Sequence, residues 1–565
     1  MSRILIALLL LRVIFAADPK VTLNHGGILV GHYSKTINGR EISNFKGIPY
    51  AEPPVGDLRF KSPQPFPAWK GERSAINDTA DCFQVEASVH GTTPAGQEDC
   101  LYLNVYVPNV PHQRKLPVMV WFHGGGWTYG SGSSRDYGPQ YLLEKDIILV
   151  SGNYRLNIFG FLSSETLDCP GNFGLKDSVE ILKWVNQHIS SFGGDPSSVT
   201  IFGESSGSVS VMYLMHSNKS NRLFHRAIAQ SGTYFNPYGQ PHKKGTAAEK
   251  ALRLAKWVNC EGDGVTVNWS QIIKCLRGIP GDTLIREFHK YYDWELFPTV
   301  PLLAVVEEDH EEAFITTSPK SSSSFTKSIP LMVGFNSEEG ALFSAILLNS
   351  EELLSQLKDN FTALAPLIVH YNGMDIARQA EITRDITQFY LKDGLNFDLN
   401  NFENFTQIIS DGGFFLGFDQ FLRQRLTQKS RPRSMPITYA YVFNHRGDKS
   451  MTSFVGAGSK FFGVTHADEI QYLFPWRHIL NITEPTFRDV IMKNAMVEMW
   501  TNFASFGNPT PRGCHFPKWD AVRGLPWNYA RIGSTDLEDR QIIRNSVHFL
   551  KNRIEFWNGL KIDVN

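Results

Sequence analysis

The sequence predicts an α/β protein in which a mostly parallel sheet is covered by helices on both faces. Short runs rich in Val and Ile alternate with segments of helical periodicity, a pattern typical of such sheets. The runs are LPVMVWF near 116–122, IILVSGNY near 147–154, VTIF at 199–202, PLMVGF at 330–335 and PITYAYVF at 436–443. SVEILKWVNQHISSF is one of the helical segments between them. Because no internal repeat or break in composition divides the chain, we expect one domain over 18–565.

Residues 1–17 predict a signal peptide. Arg3 precedes an apolar run that starts at Ile4, and Ala16 and Ala17 provide the small side chains of a cleavage site. No later segment approaches the roughly 20 apolar residues of a membrane span. The final residues, GLKIDVN, contain neither a retention signal nor the hydrophobic tail of a lipid-anchor signal. We therefore expect a secreted, extracellular protein without a membrane anchor.

Sequons and cysteines agree with an extracellular location. Each N-x-[ST] sequon predicts a surface glycosylation acceptor, at Asn77, Asn218, Asn268, Asn360, Asn404 and Asn481. Among the six cysteines, Cys82 and Cys100 close one short loop, and Cys260 and Cys275 close another. We expect these two local disulfides, although spacing alone leaves the connectivity open. Cys169 and Cys514, far apart in sequence, are either free thiols or a long-range bridge.

The charge of the chain argues against a nucleic acid partner. The formal net charge is −1, and the only dense basic cluster is the short stretch RQRLTQKSRPR. Binding to nucleic acid or to an acidic membrane surface needs a larger basic patch. A short basic run of this kind is usually a solvated face.

Ser205 stands at the junction of a predicted strand and a predicted helix. In VTIFGESSGSVSVMYLMH, the β-branched run ends at Gly203, and helical periodicity begins after Gly207. Small residues two positions before and two after a serine allow a sharp, strained turn that exposes its hydroxyl, as in the nucleophile elbow of α/β-hydrolases. A serine is a poor nucleophile without a base, so this interpretation also requires a histidine, an acid and an oxyanion hole.

The stretch WFHGGGWTYGSG predicts the oxyanion hole. It follows the strand PVMVWF, and adjacent glycines allow backbone N–H groups to point into one small volume. We assign the donors to Gly125, Gly126 and Ser206, the residue after the nucleophile. The alternative is an ordinary glycine-rich turn or a phosphate loop, but the G-K-[ST] and G-x-G-x-x-G patterns of phosphate loops are missing here.

The acid and the base are predicted from their order along the chain. Glu338 and Glu339 follow a strand in PLMVGFNSEEGALF, and His466 lies in KFFGVTHADEIQYLF. A single glutamate on such a loop is usually only solvated, and a single histidine is more often structural than catalytic. The order Ser, Glu, His is nevertheless that of the α/β-hydrolases and differs from the chymotrypsin and subtilisin orders. The residues alone do not choose between Glu338 and Glu339.

The chain resembles the type-B carboxylesterase/cholinesterase family, and most closely the secreted esterases of insects. The resemblance covers roughly residues 20 to 550 and rests on motifs that occur in order. They are FKGIPYAEPPVGDLRF, EDCLYLNVYVP, WFHGGGW, SGNYRLNIFGFL, GNFGLKD, FGGDPSSVTIFGESSG, AIAQSG, GFNSEEG and GVTHADEIQYLF. The resemblance implies an α/β-hydrolase fold, ester hydrolysis, and no metal or organic cofactor.

The resemblance also implies roles for individual residues. The family's catalytic acid directly precedes the glycine of G-x-N-x-x-E-G, which here selects Glu339 and leaves Glu338 as a neighbour. Glu204 and Glu469 match carboxylates near the catalytic histidine that tune its pKa. Ser231 resembles the family's buried serine behind the triad, with simple core packing as the alternative. The implied structural pairs and disulfides are Arg59 with Glu98, Arg155 with Asp177, Cys82 with Cys100, and Cys260 with Cys275.

Departures from the family pattern narrow the expected substrate. Cholinesterases bind the quaternary ammonium on a tryptophan of the first disulfide loop. The corresponding loop here, CFQVEASVHGTTPAGQEDC, has no tryptophan, so choline esters are not expected. Juvenile hormone esterases usually read G-Q-S-A-G at the elbow, where this chain has Glu204 and Ser206. Trp127 and the stretch YYDWELFPTV at 291–300 either line the substrate gorge or belong to the core.

Together these features predict a secreted serine carboxylesterase that hydrolyses uncharged, small-molecule carboxylic esters. Ser205 is the expected nucleophile, His466 the base and Glu339 the acid. The open alternatives within hydrolysis are a juvenile hormone esterase, an odorant or pheromone esterase, and an interfacial lipase. The alternative of another class is a non-catalytic, cholinesterase-like binding or adhesion protein. The oligomeric state is not predicted.

Overall fold

The computed structural model describes residues 18–85, 93–110, 114–262, 266–321, 329–392, 394–427, 437–458 and 460–562. The predicted signal peptide at 1–17 lies outside these residues. The described strands are β1 (Lys20–Thr22), β2 (Gly27–Val30), β3 (His32–Lys35), β4 (Glu41–Pro49), β5 (Gly71–Ser74), β6 (Gln84–Val85), β7 (Pro94–Ala95), β8 (Tyr102–Pro108), β9 (Leu116–Phe122), β10 (Ile148–Gly152), β11 (Gly194–Glu204), β12 (Arg226–Gln230), β13 (Leu331–Asn336), β14 (Thr438–Phe443), β15 (Asn528–Ile532) and β16 (Ile543–Val547).

The described α-helices lie in the connections from β10 onward, and the last of them follows the last strand. They are α1 (Asn157–Phe161), α2 (Phe173–His188), α3 (Ser206–His216), α4 (Thr246–Trp257), α5 (Trp269–Gly278), α6 (Gly281–Glu287), α7 (Ala341–Leu348), α8 (Glu351–Asp359), α9 (Phe361–Ile368), α10 (Ile376–Ile386), α11 (Glu403–Ser410), α12 (Leu416–Thr427), α13 (Met451–Phe454), α14 (Arg477–Leu480), α15 (Phe487–Phe506) and α16 (Lys551–Gly559). Every sequence run predicted as a strand is a strand, and the segment SVEILKWVNQH lies in α2.

A large central sheet organises the molecule. Its strand order is β16-β15-β14-β13-β12-β11-β9-β10-β8-β4-β3. The central seven strands, β15, β14, β13, β12, β11, β9 and β10, pair in parallel. At one edge β16 pairs antiparallel with β15, and at the other edge β8, β4 and β3 continue the sheet with antiparallel pairing. This is the predicted mostly parallel sheet. In such a sheet, ligand sites form outside the carboxyl ends of the strands, where connections diverge to opposite sides.

Helices cover both faces of the sheet, as the sequence predicts. Along β9, Val118 and Val120 belong to one buried core, and Met119 and Trp121 belong to the other. Side chains alternate between faces along a strand, so this division identifies two layers of packing. Residues of α2 and α3 pack in the first core, and residues of α15 pack in the second. A third core joins α7 to α11 and α16.

The covalent and ionic links implied by the family resemblance are present. Disulfides join Cys82 to Cys100 and Cys260 to Cys275, while Cys169 and Cys514 are free thiols. The guanidinium of Arg59 forms a two-point pair with Glu98, and that of Arg155 forms one with Asp177. Such two-point pairs fix orientation as well as charge. All six sequon asparagines are exposed, and no helix among the described residues has the length and apolar character to cross a membrane.

Candidate active site

The chain around Ser205 forms a tight elbow between β11 and α3. Ser205 adopts φ 56° and ψ −125°, a strained conformation for a residue with a side chain. A Cβ on Gly203 would lie 2.6 Å from the carbonyl carbon of Gly207, and a Cβ on Gly207 would lie 2.1 Å from the carbonyl oxygen of Phe122. Both positions therefore require glycine, and this explains the glycine two residues before and two residues after Ser205. The elbow leaves Ser205 partly exposed.

The glycine loop after β9 packs against this elbow. A Cβ on Gly124 would lie 3.1 Å from the Cβ of Ser205, and the backbone N–H of Trp127 donates to Ser206 Oγ at 3.1 Å. Gly125 and Gly126 have φ values of 100° and 62°, which glycine adopts without strain. Among the described residues, neither of these two N–H groups has a hydrogen-bond acceptor in the protein. Ser206 opens α3, so its N–H also lacks an intrahelical partner.

Glu339 and His466 form a buried hydrogen-bonded pair. Nδ1 of His466 donates to Oε2 of Glu339 at 2.6 Å, and the other carboxylate oxygen accepts the backbone N–H of Asn336 at 2.8 Å. The side chain of Glu339 is fully buried. The carboxylate therefore fixes both the orientation of the imidazole and the tautomer with its proton on Nδ1, leaving Nε2 to accept a proton.

The second nitrogen of His466 faces the elbow. Nε2 lies 3.1 Å from Oε1 of Glu204, the residue directly before Ser205. Within the described residues, Ser205 Oγ and the imidazole share no hydrogen bond; such contacts in unliganded enzymes commonly tighten only when substrate binds. Burial by itself lowers the pKa of His466, but the charges of Glu204 and Glu339 outweigh burial and raise that pKa to about 9. Burial raises the pKa of Glu204, and the positive charge of a protonated His466 opposes that rise.

Replacing Glu204 with glutamine is expected to shift the acid limb of the pH profile of kcat/KM to lower pH. With His466 as the expected base, only the neutral imidazole can accept the proton of Ser205, so activity should rise as pH increases through the pKa of His466. The negative charge at Nε2 raises that pKa, and its removal lowers it. Glu469→Gln is the control and should shift the limb less, because Glu469 makes no direct contact with the imidazole. An unchanged limb in Glu204→Gln would contradict this electrostatic role.

The remaining predicted residues surround the pair without touching the imidazole. Glu469 accepts from the side-chain amides of Gln230 at 3.0 Å and Asn336 at 2.7 Å, and it is fully buried. Ser231 follows β12 with φ 55°, and its carbonyl accepts from the hydroxyl of Tyr238 at 2.5 Å. Glu469 thus adds negative charge near His466, whereas Ser231 is a buried residue directly after β12.

Aromatic rings extend from His466 as one continuous series. The ring of Phe414 lies 5.0 Å from the imidazole and 5.3 Å from Tyr238. Phe343 lies 6.3 Å from Phe414, and Phe297 lies 6.0 Å from Phe343. Phe297 belongs to the stretch that the sequence offered as gorge or core. These rings provide an apolar wall beside the imidazole.

Trp127 belongs to the core. Its side chain is buried, stacks on Phe161 at 4.7 Å between ring centroids, and donates from Nε1 to Ser210 Oγ at 2.9 Å. The residue therefore supports the glycine loop from beneath. From the sequence alone, Trp127 could either line the substrate gorge or belong to the core.

Two residues of the site were missed by the sequence analysis. Asn336 bridges the loops of Glu339 and His466, since its side-chain amide donates to the carbonyl of Thr465 at 2.7 Å and to Glu469. It is the asparagine of GFNSEEG, so the signal was present. Phe414 lies in a π-helical turn over 411–415 whose carbonyls at Gly413 and Phe414 accept from the side chain of Asn236 at 3.0 and 2.7 Å. The pair Gly412–Gly413 hinted at irregular backbone there.

The fold and the elbow define this chain as an α/β-hydrolase. The carboxylesterase family model matches residues 17–557. A juvenile hormone esterase from Tribolium castaneum is 34% identical over 96% of this chain and 93% of the relative. A carboxylic ester hydrolase from Bombus ignitus is 34% identical over 97% of this chain and 95% of the relative.

A solved structure agrees with these sequence matches. The crystal structure of juvenile hormone esterase from Manduca sexta, with OTFP covalently attached, superimposes with a TM-score of 0.80 at 28% identity. The alignment covers 96% of this chain and 99% of that one. The chain belongs to the carboxylesterase family, and it is a carboxylic ester hydrolase.

Proposed function

We propose that this protein is a secreted serine carboxylesterase that hydrolyses uncharged carboxylic esters through an acyl-enzyme at Ser205. The observation that carries the proposal is the 2.6 Å hydrogen bond from His466 to Glu339 beside the strained elbow of Ser205. Secretion and glycosylation belong to the proposal and are supported by the leader pattern at 1–17 and by the exposure of every sequon asparagine.

The first half of the reaction forms the acyl-enzyme. His466 accepts the proton of Ser205 at Nε2 while the hydroxyl oxygen attacks the ester carbonyl. Glu339 stabilises the imidazolium that results. The carbonyl oxygen becomes an oxyanion and accepts from the N–H groups of Gly125, Gly126 and Ser206, each of which contributes on the order of 10²-fold or more in rate. His466 then returns the proton to the alkoxide, and the alcohol leaves.

The second half releases the acid and restores the enzyme. Water gives a proton to His466 and attacks the acyl carbonyl through the same oxyanion geometry. The carbon–oxygen bond to Ser205 breaks, and the serine oxygen recovers its proton from the imidazolium. Every proton therefore moves between His466, Ser205, water and the leaving group.

The proposal is tested by labelling the nucleophile with a reagent that forms a stable adduct in place of the acyl-enzyme. A fluorophosphonate ester should add one phosphonyl group per chain, and peptide mass spectrometry should locate it on Ser205. Protection by p-nitrophenyl butyrate would link the adduct to the ester site. Labelling of another serine, or no labelling of an active preparation, would overturn the assignment of the nucleophile.

The aromatic wall predicts a preference for apolar esters, and Phe414 is expected to limit chain length. Its ring lies against His466 and is held by the π-helical turn, so Phe414→Ala opens space beside the reacting atoms. Activity on p-nitrophenyl octanoate relative to acetate should rise at least about tenfold, since even one methylene in an apolar pocket is worth about 1–3 kcal/mol. Phe415→Leu is the control, because Phe415 packs on Phe335 instead. An unchanged ratio would remove Phe414 from the substrate pocket.

A juvenile hormone ester is the second candidate substrate. The relatives reported above from Tribolium castaneum and Manduca sexta are named as juvenile hormone esterases, and this supports the candidate. Glu204 and Ser206 in place of the usual elbow residues argue against it. Comparison of kcat/KM for juvenile hormone and for p-nitrophenyl butyrate separates the two candidates. The absence of turnover on any ester would favour a binding or adhesion protein.

A further inference from the structure

The two backbone N–H groups that precede His466 are each held by a carboxylate. Oε2 of Glu338 accepts from the N–H of Val464 at 2.9 Å. Oδ2 of Asp468 accepts from the N–H of Thr465 at 3.0 Å. Neither carboxylate touches the imidazole itself. The backbone that carries His466 is thus fixed immediately before the residue by two separate carboxyl groups.

Glu338 joins the loop of the acid to the loop of the base. Besides accepting from Val464, it donates its own backbone N–H to the carbonyl of Val464 at 3.0 Å. The hydroxyl of Ser337 donates to the same carboxylate at 2.5 Å and orients it. Since Glu338 directly precedes Glu339, these bonds fix the loop of the acid against the loop of the base.

The contact between the two loops is close enough to require a glycine. Gly463 has φ 118°, and a Cβ at this position would lie 2.6 Å from the Cβ of Glu338. Both the backbone conformation and the space therefore exclude a side chain there. The sequence predicts Glu338 only as a neighbour of the acid, whereas in the structure this side chain is partly buried and accepts hydrogen bonds.

Asp468 anchors the same backbone from the opposite side. Its carboxylate accepts the N–H of Met451 at 2.7 Å and the hydroxyl of Ser450 at 2.9 Å, in addition to the N–H of Thr465. The side chain is buried, with 5% of its surface exposed. It therefore ties the His466 loop to the first turn of α13.

We propose that Glu338 is a positioning residue for His466, with Asp468 as the second anchor of the same loop. The inference rests on the proposed function, in which Glu339 and His466 act as acid and base. The 2.6 Å hydrogen bond between them requires their loops to keep a fixed separation. A displacement of about 1 Å in a catalytic group costs on the order of 10²-fold in rate. Glu338 maintains that separation.

Glu338→Met and Glu338→Gln test the proposal together. Methionine fills a similar volume but cannot accept from Val464, so kcat should fall about 30-fold while KM stays within about threefold. The glutamine side-chain oxygen still accepts, and this variant should recover kcat to within about threefold of the wild type. If Glu338 acted only by general packing, the loss in Glu338→Met would not be limited to kcat, and glutamine would not restore kcat.

Glu307→Gln is the matched control for loss of a buried carboxylate. Glu307 accepts from Lys176 at 2.6 Å and from Asn172 at 2.8 Å, and it contacts no residue of the triad. This variant should lower Tm and leave kcat unchanged. Comparable losses of kcat in Glu307→Gln and Glu338→Met would attribute the effect to destabilisation and overturn the proposal.

Three further variants keep the outcome decisive. If Glu338→Met does not fold, Gly463→Ala, which forces the two loops apart, should give the same selective loss of kcat. Wild-type kcat in a folded Glu338→Met or Gly463→Ala protein would refute the positioning role. Ser205→Ala and Glu339→Gln are assayed in parallel. Retained activity in both would refute the proposed function, whereas activity lost in both but kept in Glu338→Met would refute the positioning role alone.

Discussion

Replacing Ser205 with alanine is expected to reduce ester hydrolysis by on the order of 10⁴-fold or more. The methyl group removes the nucleophilic oxygen, and no neighbouring group on the elbow can take its place in forming an acyl-enzyme. Because alanine lacks only that oxygen, the elbow and its glycine contacts should remain intact. The loss should therefore appear in kcat, with the melting temperature unchanged.

Stopped-flow hydrolysis of p-nitrophenyl acetate measures this effect directly. The wild type should release a burst of p-nitrophenol equal to the concentration of active sites, and Ser205→Ala should show none. Ser206→Ala is the matched control: it keeps the backbone N–H of the predicted oxyanion hole and loses the contacts of Ser206 Oγ with the N–H of Trp127 and with the hydroxyl of Tyr154. That control should lose activity by about tenfold, far less than Ser205→Ala, because it removes only neutral hydrogen bonds beside the elbow.

Other outcomes of the same experiment have definite meanings. If the wild type shows steady turnover without a burst, and this turnover is lost in Ser205→Ala, Ser205 remains the nucleophile and acylation is the slow step. Equal activity in the wild type and Ser205→Ala would contradict the assignment of Ser205. Failure of both proteins to hydrolyse any ester would direct attention to the binding or adhesion alternative.

The strands and the elbow could be predicted because they depend on local patterns. Each Val- and Ile-rich run that the sequence marked as a strand became one, since buried parallel strands are apolar on both faces. The elbow at Ser205 was predictable for a similar reason. Gly203 and Gly207 stand where a Cβ atom would clash with neighbouring backbone atoms, so their spacing follows from the shape of the elbow.

The parts that could not be predicted depend on contacts between distant segments. Glu338 and Glu339 are neighbours of the same residue type, yet one bonds to His466 and the other to the backbone of Val464. Nothing in the local sequence separates these directions. Phe414 reaches His466 only because a π-helical turn rotates it there, and π-helical turns have no strong sequence signature.

Replacing Glu339 with glutamine is expected to lower kcat by on the order of 10⁴-fold through the wrong tautomer of His466. One oxygen of Glu339 accepts the backbone N–H of Asn336 at 2.8 Å. That donor will hold the oxygen of the glutamine amide, so the amide NH₂ group must face Nδ1. The amide then donates to Nδ1, the imidazole proton moves to Nε2, and the nitrogen that faces Ser205 can no longer accept.

This mechanism predicts a result that loss of negative charge alone would not give. Glu339→Asp keeps the charge on a shorter side chain, and Glu339→Ala removes both the charge and the hydrogen-bonding group. Because alanine leaves the imidazole free to adopt either tautomer, Glu339→Ala should retain more activity than Glu339→Gln. Glu338→Gln, one residue away, should stay within about threefold of the wild type, since its amide oxygen still accepts from Val464. If Glu339→Gln and Glu338→Gln reduced kcat equally, neither glutamate could be assigned as the acid.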